Sequence, residues 1–118
     1  MLSRAERMHN QFFNASAPLA WQPPADILET DREVLVFVAL PGVDPSAVQA
    51  AIEDGHLVIS GARMLPPELR TANIHRLELP QGRFQRRLPL PPGRYTEVQR
   101  AGRDGCLIVR LEKAAHGR

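Results

Sequence analysis

Lysine is nearly missing from this chain. Of 15 basic residues among 118, Lys113 is the only lysine, and the other basic residues are arginine. A phosphate-cradling loop needs Gly-Lys followed by Ser or Thr. Glu112 precedes Lys113, so that nucleotide site is excluded, and a Schiff-base lysine would have to be this one residue. Cysteine is equally scarce. Cys106 alone cannot close an internal disulfide, which makes a reducing cytoplasm the expected compartment. Its alternation with Ile108 marks it as a small apolar packing residue. No apolar run approaches the ~18 residues of a membrane span, and Met1-Leu2-Ser3-Arg4-Ala5-Glu6-Arg7 lacks the apolar stretch of a secretory signal. A soluble chain with no membrane partner is expected.

Chemistry-bearing constellations are also few. His9, His56, His75 and His116 are scattered without metal-ligand spacing, and no Gly-x-Ser-x-Gly elbow occurs. No catalytic residue, metal site or cofactor is therefore expected. Arg83, Arg86, Arg87, Arg94, Arg100 and Arg103 lie close in sequence and suggest phosphate contacts. Only Phe84 and Tyr95 fall among them, however, so base stacking is poorly provided for. The stripe reads as solvated surface, with no nucleic-acid partner.

What is present is a chain long enough for one core and too short for two. Residues 1–20 stand apart as an N-terminal arm. Leu2, Ala5, Met8 and Phe12 recur at helical spacing, and Ser3 with Glu6 has the form of a capping box. The spacing predicts a short amphipathic helix, with Met8, Phe12 and Phe13 as apolar contacts. From Trp21 the period changes to two. Pro23-Pro24 opens an extended segment through Thr30, and Glu33–Ala39 is apolar on both faces, so it needs cover on both. Val48, Ala50 and Ile52 share one face of the next strand. Asp54-Gly55 is a hairpin signal, and Leu57 and Ile59 continue that face on the return. Met64 to Ala72 reads as loop, and Asn73 to Leu79 as a short strand. Phe84, Leu88 and Leu90 mark a further strand, as do Glu97–Arg100 and Cys106–Glu112. About eight short strands separated by turn signals predict an all-β antiparallel sandwich.

Five pieces of this sequence, in this order, resemble the alpha-crystallin domain of the small heat shock proteins. They are Leu40-Pro41-Gly42-Val43, Leu57-x-Ile59-x-Gly61-x-Arg63, His75-Arg76 before Glu78, Gly82-Arg83-Phe84-Gln85-Arg86, and Gly105-Cys106-Leu107. The resemblance implies an immunoglobulin-like β-sandwich over residues 21–113 with a short tail at 114–118. It also implies an ATP-independent holdase that binds partly unfolded client proteins. About twenty residues separate Gly61 from Phe84, and bacterial and plant members use such a loop to carry a strand to a partner subunit. The resemblance therefore implies a homodimer by strand exchange. Ile74, His75, Leu77, Glu78 and Leu79 would pair with the partner's Asp26, Ile27 and Leu28, and Arg86 would sit at the interface.

A groove bounded by Val48, Ala50, Ile52 and Val98 is implied as a client or peptide site, one that would take a peptide containing Ile-x-Ile. Three departures accompany the resemblance. Leu79 stands where an arginine is usual, Arg100 stands where an alanine is expected, and 114–118 carries no Ile-x-Ile peptide. A dimer or small oligomer is thus expected rather than a large cage. The p23 and CS-domain co-chaperone adaptors share the fold without the long loop, and they are the alternative class.

Overall fold

The computed structural model describes residues 20–114. The arm contacts Met8, Phe12 and Phe13 and the tail 115–118 lie outside the described residues. Among the described residues seven strands are formed: β1 (Ala25–Glu29), β2 (Glu33–Ala39), β3 (Gln49–Glu53), β4 (His56–Arg63), β5 (Gly82–Pro89), β6 (Tyr95–Arg103) and β7 (Cys106–Lys113). They make two antiparallel sheets, one in the order β1-β2-β7-β6 and one in the order β3-β4-β5.

The alternation read from the sequence decides what lies between the sheets. Val34, Val36 and Val38 of β2 and Leu107, Val109 and Leu111 of β7 are fully buried, facing Val48, Leu57, Ile59, Phe84 and Leu88 from the other layer. Each such side chain is worth roughly 1.5–3 kcal/mol for its removal from water. Because successive side chains point to opposite faces, Leu35 and Phe37 fall on the outer side of β2, where they are half-buried.

Backbone sign sets the hairpins. Asp54 and Gly55 have φ of 50° and 74°, and Asp104 and Gly105 have 54° and 78°. Two consecutive positive φ values match the twist of the flanking strands, which is why Asp-Gly serves both β3–β4 and β6–β7. Asp44 caps the single turn Pro45–Ala47, its carboxylate accepting from the Ser46 amide at 2.9 Å.

Trp21 completes the smaller sheet. Its amide donates to Arg83 O at 3.1 Å, its carbonyl accepts from the Gln85 amide at 3.0 Å, and its indole Nε1 donates to Gly82 O at 3.1 Å. The indole lies 5.3 Å from the Phe84 ring. Phe84 in turn needs Gly61 beneath it, since a Cβ there would stand 2.7 Å from Phe84 Cζ.

Two segments depart from the sequence reading. Asn73–Leu79 is not a strand in the single chain. A strand's N–H and C=O groups need a ladder partner, and no hydrogen bond joins 73–79 to β1 among the described residues. Strand β6 runs from Tyr95 to Arg103 rather than from Glu97 to Arg100. Its pairing with β7 continues through Ala101, Gly102 and Arg103, residues whose small or charged side chains give no strand signal.

Candidate interaction surfaces

Strand β1 is an edge. It pairs with β2 on one side only, Asp26 opposite Phe37, Ile27 opposite Val36 and Leu28 opposite Leu35. Ile27 packs against the core, whereas Leu28 is 51% exposed on the outer face. An open edge with an exposed leucine is a ready template for another strand.

The long connection between β4 and β5 carries the most exposed apolar side chains. Met64, Leu65, Ile74, Leu77 and Leu79 all stand at 40% exposure or above. His75 and Glu78 are exposed as well. The Glu78 carboxylate pairs with Arg76 at 2.8 Å, both side chains lying in solvent, so the pair is worth little.

Arg63 holds the base of this connection. Its Nε donates to Pro41 O at 2.8 Å and its Nη1 to Pro80 O at 3.4 Å. The guanidinium thus ties the end of the connection to the Leu40–Val43 corner. Gly42, at φ 78°, leaves room for it, since a Cβ there would meet Arg63 Nη2 at 3.3 Å.

Arg86 faces inward between Phe84 and Leu88, as alternation requires. It is half-buried, and its Nη1 donates to Pro23 O at 3.0 Å. Pro23 is buried just ahead of β1, so Arg86 links β5 to the open-edged strand. Arg87 points to the opposite face, 3.9 Å from Glu53 and largely in solvent.

The edge strands β3 and β6 border one flank of the sandwich, where β6 packs against the turn Pro45–Ala47. Val48, Ala50 and Ile52 share the core side of β3, and Val98, Arg100 and Gly102 share that of β6, being paired with the buried Leu111, Val109 and Leu107. Exposure rises along this flank. Val48 is 1% exposed and belongs to the core, Ala50 is half-buried, and Ile52 and Val98 are 37% and 41% exposed. Arg100 Nη1 donates to Val48 O across the gap. At the far end Gly102 abuts Pro45, whose Cγ would lie 2.3 Å from any Cβ added there.

Two titrating groups border these surfaces. Hydrogen bonds from the Ser46 amide, then its hydroxyl, hold Asp44 below the ordinary 3.8. Burial, followed by the Glu29 charge, raises Tyr95 above 10.0 against the opposing Lys113. Its hydroxyl donates to Pro91 O at 2.6 Å. The six clustered arginines do not line up on one face. Arg86 and Arg100 turn inward, and Arg103 stands 3.9 Å from Asp104.

With this geometry in hand, the sequence matches the profile of the Hsp20/alpha crystallin family over residues 26–118. The chain belongs to that family. It is 36% identical over 102 residues to the 16.9 kDa class I heat shock protein 1 of Triticum aestivum, a match covering 85% of this chain and 64% of that protein. The chain thus spans just under two thirds of the wheat protein's length. Among solved structures, hspA from Xanthomonas axonopodis superposes with a TM-score of 0.71 at 33% identity, covering 80% of this chain and 96% of that one. A small heat-shock protein from Xylella fastidiosa gives 0.70 at 29% identity, with coverages of 83% and 91%.

Sequence reasoning gave no structural role to Arg63, Trp21 or Arg100. Arg100 was visible as one of the clustered arginines and as a departure from the family pattern. The bonds that define all three run to carbonyls 22, 62 and 52 positions away, and no local pattern encodes such a partner.

Proposed function

We propose that this small heat shock protein is an ATP-independent holdase that works as a strand-exchanged homodimer in the cytoplasm. The observation that carries the reading is where the apolar surface lies. Ile74, Leu77 and Leu79 crowd a connection with no strand partner of its own, and Leu28 marks a strand edge left open. Exposed apolar surface of this kind marks an interaction site.

In the proposed dimer, Ile74, His75, Leu77, Glu78 and Leu79 lie along the partner's Asp26, Ile27 and Leu28. Arg86 holds the Pro23 carbonyl and so keeps the start of that edge in place. Clients are held by the apolar surface that remains: Leu35 and Phe37 on the outer face, Ile52 with Val98 at the exposed end of the β3–β6 flank, and Met8, Phe12 and Phe13 of the arm. Removing about 25 cal/mol per Å² of apolar surface from water makes a few hundred Å² enough for reversible capture after association costs. No nucleotide, metal or covalent step is involved.

Light scattering of a heated client enzyme, with and without this protein and without ATP, tests the activity. Scattering should fall as the chaperone approaches equimolar, and an unchanged trace would end the holdase reading. Size-exclusion with multi-angle scattering tests the dimer. A monomeric mass would point instead to an adaptor of the p23 and CS-domain kind.

A further inference from the structure

The exit of the long connection between β4 and β5 is a held stem. Its two roots, Arg63 and Gly82, are paired across the strands. Arg63 ends β4 in alternation with the buried Leu57 and Ile59, and its guanidinium reaches the Leu40–Val43 corner that follows β2 in the other sheet. That corner is itself fixed, the Leu40 amide donating to Gly105 O at 3.0 Å. Three carbonyls of the exit are taken by side chains of the same chain. Leu79 O accepts from Gln81 Nε2 at 2.9 Å, Pro80 O from Arg63 Nη1 at 3.4 Å, and Gly82 O from Trp21 Nε1 at 3.1 Å. Of these three donors, Arg63 alone also holds the corner of the other sheet. Among the described residues, the hydrogen bonds of 64–78 are made within the connection itself.

We propose that Arg63 is a positioning residue for strand exchange: by holding the Pro80 carbonyl at the Leu40–Val43 corner, it aims residues 73–79 at a partner. This role rests on the strand-exchanged dimer proposed above and adds what prepares the donated segment. A segment hung from a slack root must be ordered at the moment of pairing, which lowers affinity and slows association. With Pro80 held, the backbone freedom of the root is already lost in the free subunit. The planar fork matters, because one guanidinium serves two carbonyls through Nε and Nη1. A lysine ammonium is a compact point charge on a flexible stem and does not reproduce that geometry. The corner also leaves room for the fork. Gly42 has φ 78° and stands beside Nη2, where an added Cβ would approach to 3.3 Å.

The test compares the full chain with Arg63→Lys and Arg70→Ala. Sedimentation equilibrium gives each dimer dissociation constant, and subunit exchange between differently labelled dimers gives each dissociation rate. Arg63→Lys should raise the dissociation constant about tenfold or more, with a dissociation rate within about twofold of wild type, so that the loss lies in association. Arg70→Ala, altered at an exposed arginine of the same connection, should behave as wild type. Amide exchange at the buried Val36 and Val109 should match the wild type in both variants, which separates positioning from a general loss of fold. An unchanged dissociation constant in Arg63→Lys, or one raised wholly through faster dissociation, would overturn the positioning role and leave the dimer standing. Core amide exchange accelerated by the same factor would also overturn it, reducing Arg63 to a packing residue. A monomeric wild type would instead sink strand exchange itself, and the role of Arg63 with it.

Discussion

At the scale of single residues, adjacent arginines have opposite fates because strand side chains alternate. Arg86 turns in and finds a carbonyl, whereas Arg87 turns out into solvent. Arg86→Ala is expected to cost about 1.5–3 kcal/mol, as for hydrogen bonds involving a charged group, and Arg87→Ala less than about 0.5 kcal/mol, as read from urea midpoints. Alternation with Phe84 and Leu88 made the inward aspect of Arg86 legible in the sequence, but its acceptor, 63 positions away, was not.

Gly61 illustrates the same limit. Its place in the motif was plain, whereas its reason is the Phe84 ring across the strand pair. Gly61→Ala should therefore destabilise by about 1–3 kcal/mol through overpacking, measured by thermal or urea unfolding. Asp44 gives a pH signature. Its folded pKa lies below 3.8, so its contribution is complete above that value and is lost as pH falls through the folded one. Asp44→Ala should be less stable than wild type at pH 6, and the gap should narrow below pH 3.8.

At the scale of elements, turns and buried strands were the legible part. Glu33–Ala39 and the Asp54-Gly55 turn were read where they are observed, because a two-residue turn with positive φ leaves little latitude in chain direction. Gly105→Ala should cost about 1–2 kcal/mol, the penalty of placing a side chain in the left-handed region. A chevron or equilibrium urea series would read it. Strand β6 was only half legible. Its composition is polar because it is an edge, so burial imposes no period on much of its length. The segment 73–79 has the alternation of a strand but finds no ladder in its own chain. Periodicity reports which side chains want cover, and it is silent on what provides the backbone partner.

At the scale of the molecule, two sheets leave apolar residues on surfaces that a lone chain does not cover. If these meet in a second copy, association and stability are linked by mass action. The Tm should then rise with protein concentration across a hundredfold range, and Leu28→Asp with Leu77→Asp should remove that dependence while the β-sheet circular dichroism persists. A concentration-independent Tm in the wild type would argue for a monomer. Local chemistry was enough to establish the all-β antiparallel architecture and the Asp54-Gly55 turn, because side-chain period and φ preference act over a few residues, whereas which face of β2 and β7 turns inward was left to the packing of the two sheets. The fate of Arg63, Arg86 and Arg100 depended on which carbonyl each found across the sandwich. Such pairings arise only when distant strands are brought together.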